Sequence, residues 1–267
     1  MSSPSPSLAD AVRSTDGLLL VVTGAGISLA SGIPTFRGTD KDAVWKRDVT
    51  ELGTNRFFQA EPAGSWSWYL SRFDKVLGAK PNPGHTALVD LERWAKEQGR
   101  EFLLVTQNID GLHKEAGSTE LVEVHGSAQR VRCSGRRCVN GAPKGSLPRA
   151  SVDISAFRAN PVDENVPKCP ACGELLRQHV LWFDEFYNEH ADYQWERVLD
   201  ASERARLVLF VGTSFAVGVT ELVTTAARHR HVPIFSIDPA GRAAAGISLI
   251  AEPSEVALPA LVAALRA

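Results

Sequence analysis

The sequence predicts an α/β fold, a doubly wound Rossmann-like parallel sheet interrupted by two inserts. Three observations predict it. Short, unbroken apolar runs recur along the chain, which is how strands buried on both faces of a parallel sheet read. Segments with helical apolar spacing lie between or after those runs, giving the alternating strand and helix order of this architecture. The first run also stops abruptly at Thr23-Gly24-Ala25-Gly26, a glycine turn at the carboxyl end of a strand.

Taken in order, residues 1–16 are polar and rich in Pro and Ser, and predict a frayed arm leading into a helix near Leu8–Arg13. Leu18-Leu19-Leu20-Val21-Val22 predicts the first buried strand, and Phe102–Val105, Leu207–Val211 and Val232–Ile237 repeat its pattern. Helices are expected over Pro83–Gln98, Trp195–Arg204, Val219–Arg230 and Glu255–Arg266. Residues 35–78 break the rhythm, hold Trp45, Trp66 and Trp68, and predict a helical insert or lid at about 39–80. Residues 130–177 lose the apolar runs, gain Gly, Pro and Ser, and read as a small inserted module. The α/β domain is therefore expected over 1–129 and 178–267.

Composition narrows the function classes. The 267 residues carry a net charge of −2, with 44% hydrophobic and 22% charged side chains. A nucleic-acid footprint would need a clustered basic face. Here Lys41, Lys46 and Arg47 interleave with Asp40, Asp42 and Asp48, which reads as a solvated face. The first residues lack the charged start and apolar run of a secretion signal, and no apolar stretch reaches the roughly 18 residues of a membrane span. These features predict a cytoplasmic protein, a monomer that engages neither nucleic acid nor membrane.

All four cysteines, Cys133, Cys138, Cys169 and Cys172, lie in the inserted module. Cys169-x-x-Cys172 has the knuckle spacing of a zinc half-site, and Cys133-x-x-x-x-Cys138 is a looser permitted spacing. In a chain without a secretion signal the pairing favours metal over disulfides. Four thiolates would close a tetrahedral Zn2+ site with no open position, so the expected role is structural and the module is expected to be a small zinc-binding insert.

The polar motifs carry less when taken singly. The glycine turn at Gly24-Ala25-Gly26 could bring backbone N–H groups to a pyrophosphate, with the next helix beginning between Ser28 and Gly32. The third position of the dinucleotide fingerprint is Leu29, however, so a ligand-free tight turn stays open. Gln107-Asn108-Ile109-Asp110 follows the strand Phe102–Val105, where ribose hydroxyls and a carboxamide would be held, or where a polar loop would cap itself. His125, between a short strand-like run and Gly126, has the chemistry of a general base. So does His113, and the residues alone do not rank them.

The continuation Gly24-Ala25-Gly26-Ile27-Ser28-Leu29-Ala30-Ser31-Gly32-Ile33-Pro34-Thr35-Phe36-Arg37-Gly38 resembles the first NAD-binding motif of the sirtuins, the NAD-dependent protein lysine deacylases. Three further segments agree in order: Thr106-Gln107-Asn108-Ile109-Asp110-Gly111-Leu112-His113, then Val124-His125-Gly126, then Val211-Gly212-Thr213-Ser214. The resemblance implies that His125 and Asn108 are catalytic. It implies NAD contacts at Gly24, Ala25, Gly26, Ile27, Thr35, Phe36, Arg37, Gln107, Asn108, Ile109, Asp110, Gly212, Thr213, Ser214 and Asp238. NAD would be consumed: the acyl oxygen of a modified lysine displaces nicotinamide from the ribose, and His125 deprotonates a ribose hydroxyl. The products would be free lysine, nicotinamide and an acylated ADP-ribose. Phe36 and Arg37 would belong to a lid that excludes water.

Substrate choice rests on shorter signals. Tyr69 and Arg72 stand three apart, on one face of a helix, and together could hold a carboxylate at the tip of an acyl chain. This Tyr-x-x-Arg resembles the mark of sirtuins that prefer succinyl- and malonyl-lysine, and Thr35, where many deacetylating relatives carry Asp, agrees. The segment from His179 to Glu185 resembles the strand that pairs with substrate backbone, with Val180, Leu181 and Phe183 at the acyl-lysine. The chain departs from that family's pattern at Gln178 (usually Pro), Asp184 (usually Gly), Asp238 (commonly Asn) and Gly218-Val219-Thr220. Acyl-lysine proteins or peptides are the expected partners. The same pocket would also serve an NAD glycohydrolase or a mono-ADP-ribosyltransferase, and a non-catalytic NAD sensor is a third reading.

Overall fold

The structure, a computed structural model, describes residues 7–34, 49–215, 218–241 and 245–267. The strands are β1 Leu18–Thr23, β2 Phe102–Thr106, β3 Leu121–Glu123, β4 Gly126–Cys133, β5 Leu147–Pro148, β6 Leu176–Val180, β7 Ala205–Val211, β8 Ile234–Ile237 and β9 Ser248–Ile250. The helices are α1 Leu8–Ser14, α2 Val49–Leu52, α3 Asn55–Ala60, α4 Pro62–Val76, α5 Pro83–Glu97, α6 Leu112–Ala116, α7 Ser155–Ala159, α8 Trp195–Arg204, α9 Gly218–His229 and α10 Ser254–Arg266.

Six strands form one parallel sheet in the order β3-β2-β1-β7-β8-β9. Its central strands carry long apolar runs because both faces are covered, and the twofold alternation of a strand assigns each residue to a face. Leu19, Val21, Leu104, Leu207 and Leu209 pack under α5 and α10 against Leu88, Leu91, Trp94 and Leu258. Leu18, Leu20, Val22, Leu103, Val208 and Phe210 pack on the other face against Val198 of α8 and Val219 and Val223 of α9. Burying each such side chain contributes roughly 1.5–3 kcal/mol. No described helix is long and apolar enough to cross a membrane.

The connections reverse direction at β1. From there the chain builds outward to β2 and β3 on one side and to β7, β8 and β9 on the other. This places a topological switch point between β1 and β7, and the carboxyl ends there are where open α/β sheets form their ligand crevice.

The two inserts are not independent. A three-stranded antiparallel sheet of order β5-β4-β6 starts at Gly126 and ends at Val180, a few residues beyond the predicted limits on both sides. Its inner face shares one core with the helical insert: Phe58, Trp66, Tyr69 and Phe73 pack with Val131, Phe157, Leu176 and Trp182. The Trp66 indole N–H donates to the carbonyl of Leu176 at 2.7 Å, which pins α4 to β6. Behind it lies a buried ion cluster in which Arg132 and Arg177 both hold Glu185. Burial opposes the Glu185 charge, but the two guanidinium groups prevail and keep its pKa below the ordinary value.

Three local expectations are corrected. The segment after the glycine turn is a 3-10 helix over Ala25–Ser31 that Gly32 closes in the left-handed region (φ 81°), not an α-helix starting at Ser28. β8 begins at Ile234 rather than Val232, since Pro233 has no N–H and supplies only a carbonyl, to Val208 at 3.0 Å. The segment from Leu181 to Glu185 leaves the sheet: β6 stops at Val180, and the Glu185 carboxylate accepts the Trp182 N–H at 3.0 Å to close a turn.

Candidate functional site

The polar groups converge at the switch point because two loops interlock there. A Cβ on Gly26 would lie 2.5 Å from the Cα of Gly212, and one on Gly24 would lie 2.8 Å from the Gly212 oxygen. Gly212 itself sits at φ 58°. These glycines therefore let the loops after β1 and β7 close on each other, and the Gly26 N–H donates to Gly212 O at 2.8 Å.

The loop after β2 is tied to the same place by its side chains. Gln107 donates its amide to Thr23 O and Thr213 Oγ1, both at 3.2 Å. Asn108 donates to Gly24 O at 3.1 Å and to Ser28 Oγ at 3.2 Å. The Ser28 hydroxyl passes its own hydrogen to Asp110 at 2.7 Å, and Asp110 also accepts the Leu112 N–H at 2.9 Å. Burial raises the Asp110 pKa, offset in part by those two donors. Ser28 was not singled out from the sequence. Its signal is its position one 3-10 turn past the glycines, which aims a fully buried hydroxyl at the β2 loop. Asp238 lies at the carboxyl end of β8 and accepts the Ala240 N–H at 2.8 Å. Thr213 is buried and Ser214 exposed beside it. Thr35, Phe36 and Arg37, with the lid they were expected to form, lie outside the described residues.

His125 stands between β3 and β4, against the start of the β2 loop. Its Nδ1 lies 2.9 Å from the carbonyl of Gln107, which can only accept, so Nδ1 carries the hydrogen and Nε2 keeps a lone pair. The residue is part-buried, and the packing around the ring pushes its pKa down to about 4, opposed by the Gln107 carbonyl. It is thus a neutral acceptor throughout the physiological range. His113, the rival, and His85 are spent on structure. His113 is 1% exposed with Nε2 against Thr23 Oγ1 at 2.9 Å, and burial lowers its pKa well below the ordinary value. His85 is fully buried and accepts the Asn82 N–H in the capping box of α5.

The profile of the Sir2 family matches residues 24–219, from the glycine turn to the start of α9. The chain belongs to the Sir2 family. It is 46% identical over 198 residues to the NAD-dependent protein deacylase of Thermus thermophilus, spanning 74% of this chain and 69% of that protein. It is 37% identical over 227 residues to the NAD-dependent protein deacylase of Aeropyrum pernix, spanning 85% and 82%. The fold matches a solved Sir2 homolog–NAD complex with TM-score 0.79 at 33% identity, covering 99% of this chain and 95% of that one. It also matches a Sir2–p53 peptide–NAD+ complex with TM-score 0.75 at 26% identity, covering 95% of each chain.

Against the Sir2 pattern, the departures at positions 178 and 184 have structural roles here. The Asp184 carboxylate accepts the N–H groups of Asn55 at 2.7 Å and Arg56 at 3.1 Å, so it caps α3 and fastens the 181–185 turn to the helical insert. Gln178 is buried and accepts from Arg149 at 2.8 Å, whose guanidinium stands over the rings of Trp66 and Phe73.

The predicted acyl-binding pair is split. Arg72 lines a cavity with Ala25, Ser28, Asn108 and Asp110, its guanidinium folded over Trp68 at 4.0 Å. Tyr69 is not among the lining residues: it is 4% exposed, stacked against Trp182. Val180 is buried at the end of β6 opposite Gly126, and Phe183 is 55% exposed. The N–H groups of Leu181, Trp182 and Phe183 are engaged, by His125 O, Glu185 and Gly53 O respectively.

The four cysteine Sγ atoms lie within 4.8 Å of one another, with Cys133 and Cys172 at 3.4 Å and Cys138 and Cys169 at 3.6 Å. Those separations are near the edge, about 3.8 Å, of a tetrahedron with Zn–S bonds of about 2.3 Å, and far beyond a disulfide bond. The Gly135 N–H donates to Cys133 Sγ at 3.2 Å and the Asn140 amide to Cys169 Sγ at 3.4 Å, the outer donors that thiolate ligands need. The residues fit a structural zinc ion.

Proposed function

We propose that the chain is an NAD-dependent protein lysine deacylase that transfers the acyl group from lysine to ADP-ribose with release of nicotinamide, and that it prefers the acidic malonyl and succinyl groups. The observation that carries the reaction is His125: neutral, with Nδ1–H fixed on the carbonyl of Gln107, next to Asn108, it keeps an Nε2 lone pair that can take a proton. NAD supplies an electrophilic ribose carbon when nicotinamide leaves. Asn108 and Asp110, held by Ser28, orient polar groups over that crevice, and His125 accepts the hydroxyl proton. The cysteine module would hold one structural zinc ion that keeps β4, and with it His125, in place.

Arg72 supports the acidic preference, since the residue lines the same cavity as Asn108 and Asp110 and exposed Lys75 adds a second cation there. Buried Tyr69 gives no such support. In assays on matched acetyl-, malonyl- and succinyl-lysine peptides, Arg72→Met is expected to cut kcat/KM for the two acidic substrates about tenfold or more, the scale of one charge-assisted bond, and to leave acetyl within about twofold. Equal losses on all three peptides would remove the preference.

A second reading, NAD glycohydrolysis or mono-ADP-ribosyl transfer, draws on the engaged amides of residues 181–183, which leave fewer groups for a peptide backbone.

A further inference from the structure

His125 has a second side-chain neighbour besides the Gln107 backbone. The phenol oxygen of Tyr187 lies 3.2 Å from its Nε2, on the nitrogen that must take a proton, and the two rings are 5.7 Å apart and inclined by 26°. Because Nδ1 carries the imidazole hydrogen, Nε2 accepts and the phenol donates. The phenol oxygen in turn receives the N–H of Val219 in the first turn of α9, so its own hydrogen is left for His125. The Tyr187 ring is held by a parallel stack on Trp195 at 4.2 Å and 14°. Three elements thus fix one hydroxyl on the base: the short helical turn at Tyr187–Glu189, the start of α8 and the start of α9.

We propose that Tyr187 is a positioning residue for His125: its hydroxyl occupies Nε2 in the resting protein, fixing the ring and keeping water off the lone pair until a ribose hydroxyl takes its place. No covalent step runs through the phenol. A donor on the Nε2 lone pair stabilises the neutral ring and aims it, and both effects belong to the second half of the reaction, after nicotinamide has left. The other group bonded to the ring, the Gln107 carbonyl, is uncharged, so removing the phenol exposes Nε2 to water without changing any charge beside it.

The inference rests on the deacylase reading, and its test separates the two. Tyr187→Phe keeps the ring and its stack and removes only the hydroxyl. Formation of deacylated peptide is expected to slow roughly three- to tenfold, the range of one hydrogen bond, with the loss in kcat and not in KM. Exchange of labelled nicotinamide into NAD in the presence of acyl-peptide should change by less than about twofold, since no base is needed for that half. The acid limb of the pH–rate profile should move upward, toward the ordinary histidine value, because a donor that favoured the neutral ring is gone. In the unaltered protein, imidazole nitrogen shifts should show His125 as the Nδ1–H tautomer with Nε2 accepting a hydrogen bond. An Nε2–H tautomer overturns the proposal, as do unchanged turnover and pH profile in Tyr187→Phe, or equal losses in exchange and deacylation. An unaltered protein inert toward NAD and every acyl-peptide would instead overturn the deacylase reading.

Discussion

His125→Ala is expected to slow acyl transfer by about 10²- to 10⁴-fold, the contribution of a positioned general base, while the protein stays folded. The fold should survive because, among the described residues, the side chain bonds to the Gln107 carbonyl and the Tyr187 hydroxyl alone. The structural duties at this position belong to the backbone: the His125 carbonyl accepts the Leu181 N–H, and Gly126 turns the chain at φ 79°. A Cβ on Gly126 would stand 2.3 Å from the His179 oxygen, so substitution there would break the turn whereas His125→Ala does not. Peptide mass and circular dichroism measured together give the test, and a fivefold loss or less would remove His125 from the role. Because burial holds the ring's pKa near 4, the unaltered protein should keep its kcat/KM as pH falls from 7 to 5. An exposed histidine base would lose most of it over the same range.

Cys172→Ser should cost both structure and activity. Structural zinc supplies about 10–16 kcal/mol of apparent binding free energy in small modules, and removing one thiolate forfeits much of it. The damage should reach the site, since β4 runs without interruption from Gly126, beside the base, to the ligand Cys133. It should also reach the helical insert, because Trp66 and Trp182 share the module's core. Zinc content and the near-ultraviolet aromatic signal are expected to fall together with activity, in contrast to His125→Ala. Full activity and ellipticity in a zinc-free Cys172→Ser protein would contradict the structural role.

What the sequence discloses and what it hides follow from range. Strands β1, β2 and β7 are legible because both faces are buried, so each carries an unbroken apolar run, Leu18–Val22, Phe102–Val105 and Leu207–Val211, with polar residues confined to the strand ends. The edge strand β9 has only Ser248, Leu249 and Ile250, none of them buried, and leaves no pattern. The cysteine cluster is legible because spacing within a knuckle is local chemistry. Choosing His125 over His113 is not, because only the tertiary packing shows that His113 is committed to Thr23. Nor is the contact between His125 and Tyr187, which are 62 residues apart. The Tyr69 and Arg72 expectation shows the limit of helical spacing: three residues apart they share a face, yet one turns inward to Trp182 and the other borders the cavity.

The most direct test of the account is a mass balance on the unaltered, zinc-loaded protein with NAD and a succinyl-lysine peptide. The account predicts that deacylated peptide, nicotinamide and acylated ADP-ribose appear in equal amounts. Nicotinamide with free ADP-ribose and unchanged peptide would contradict it.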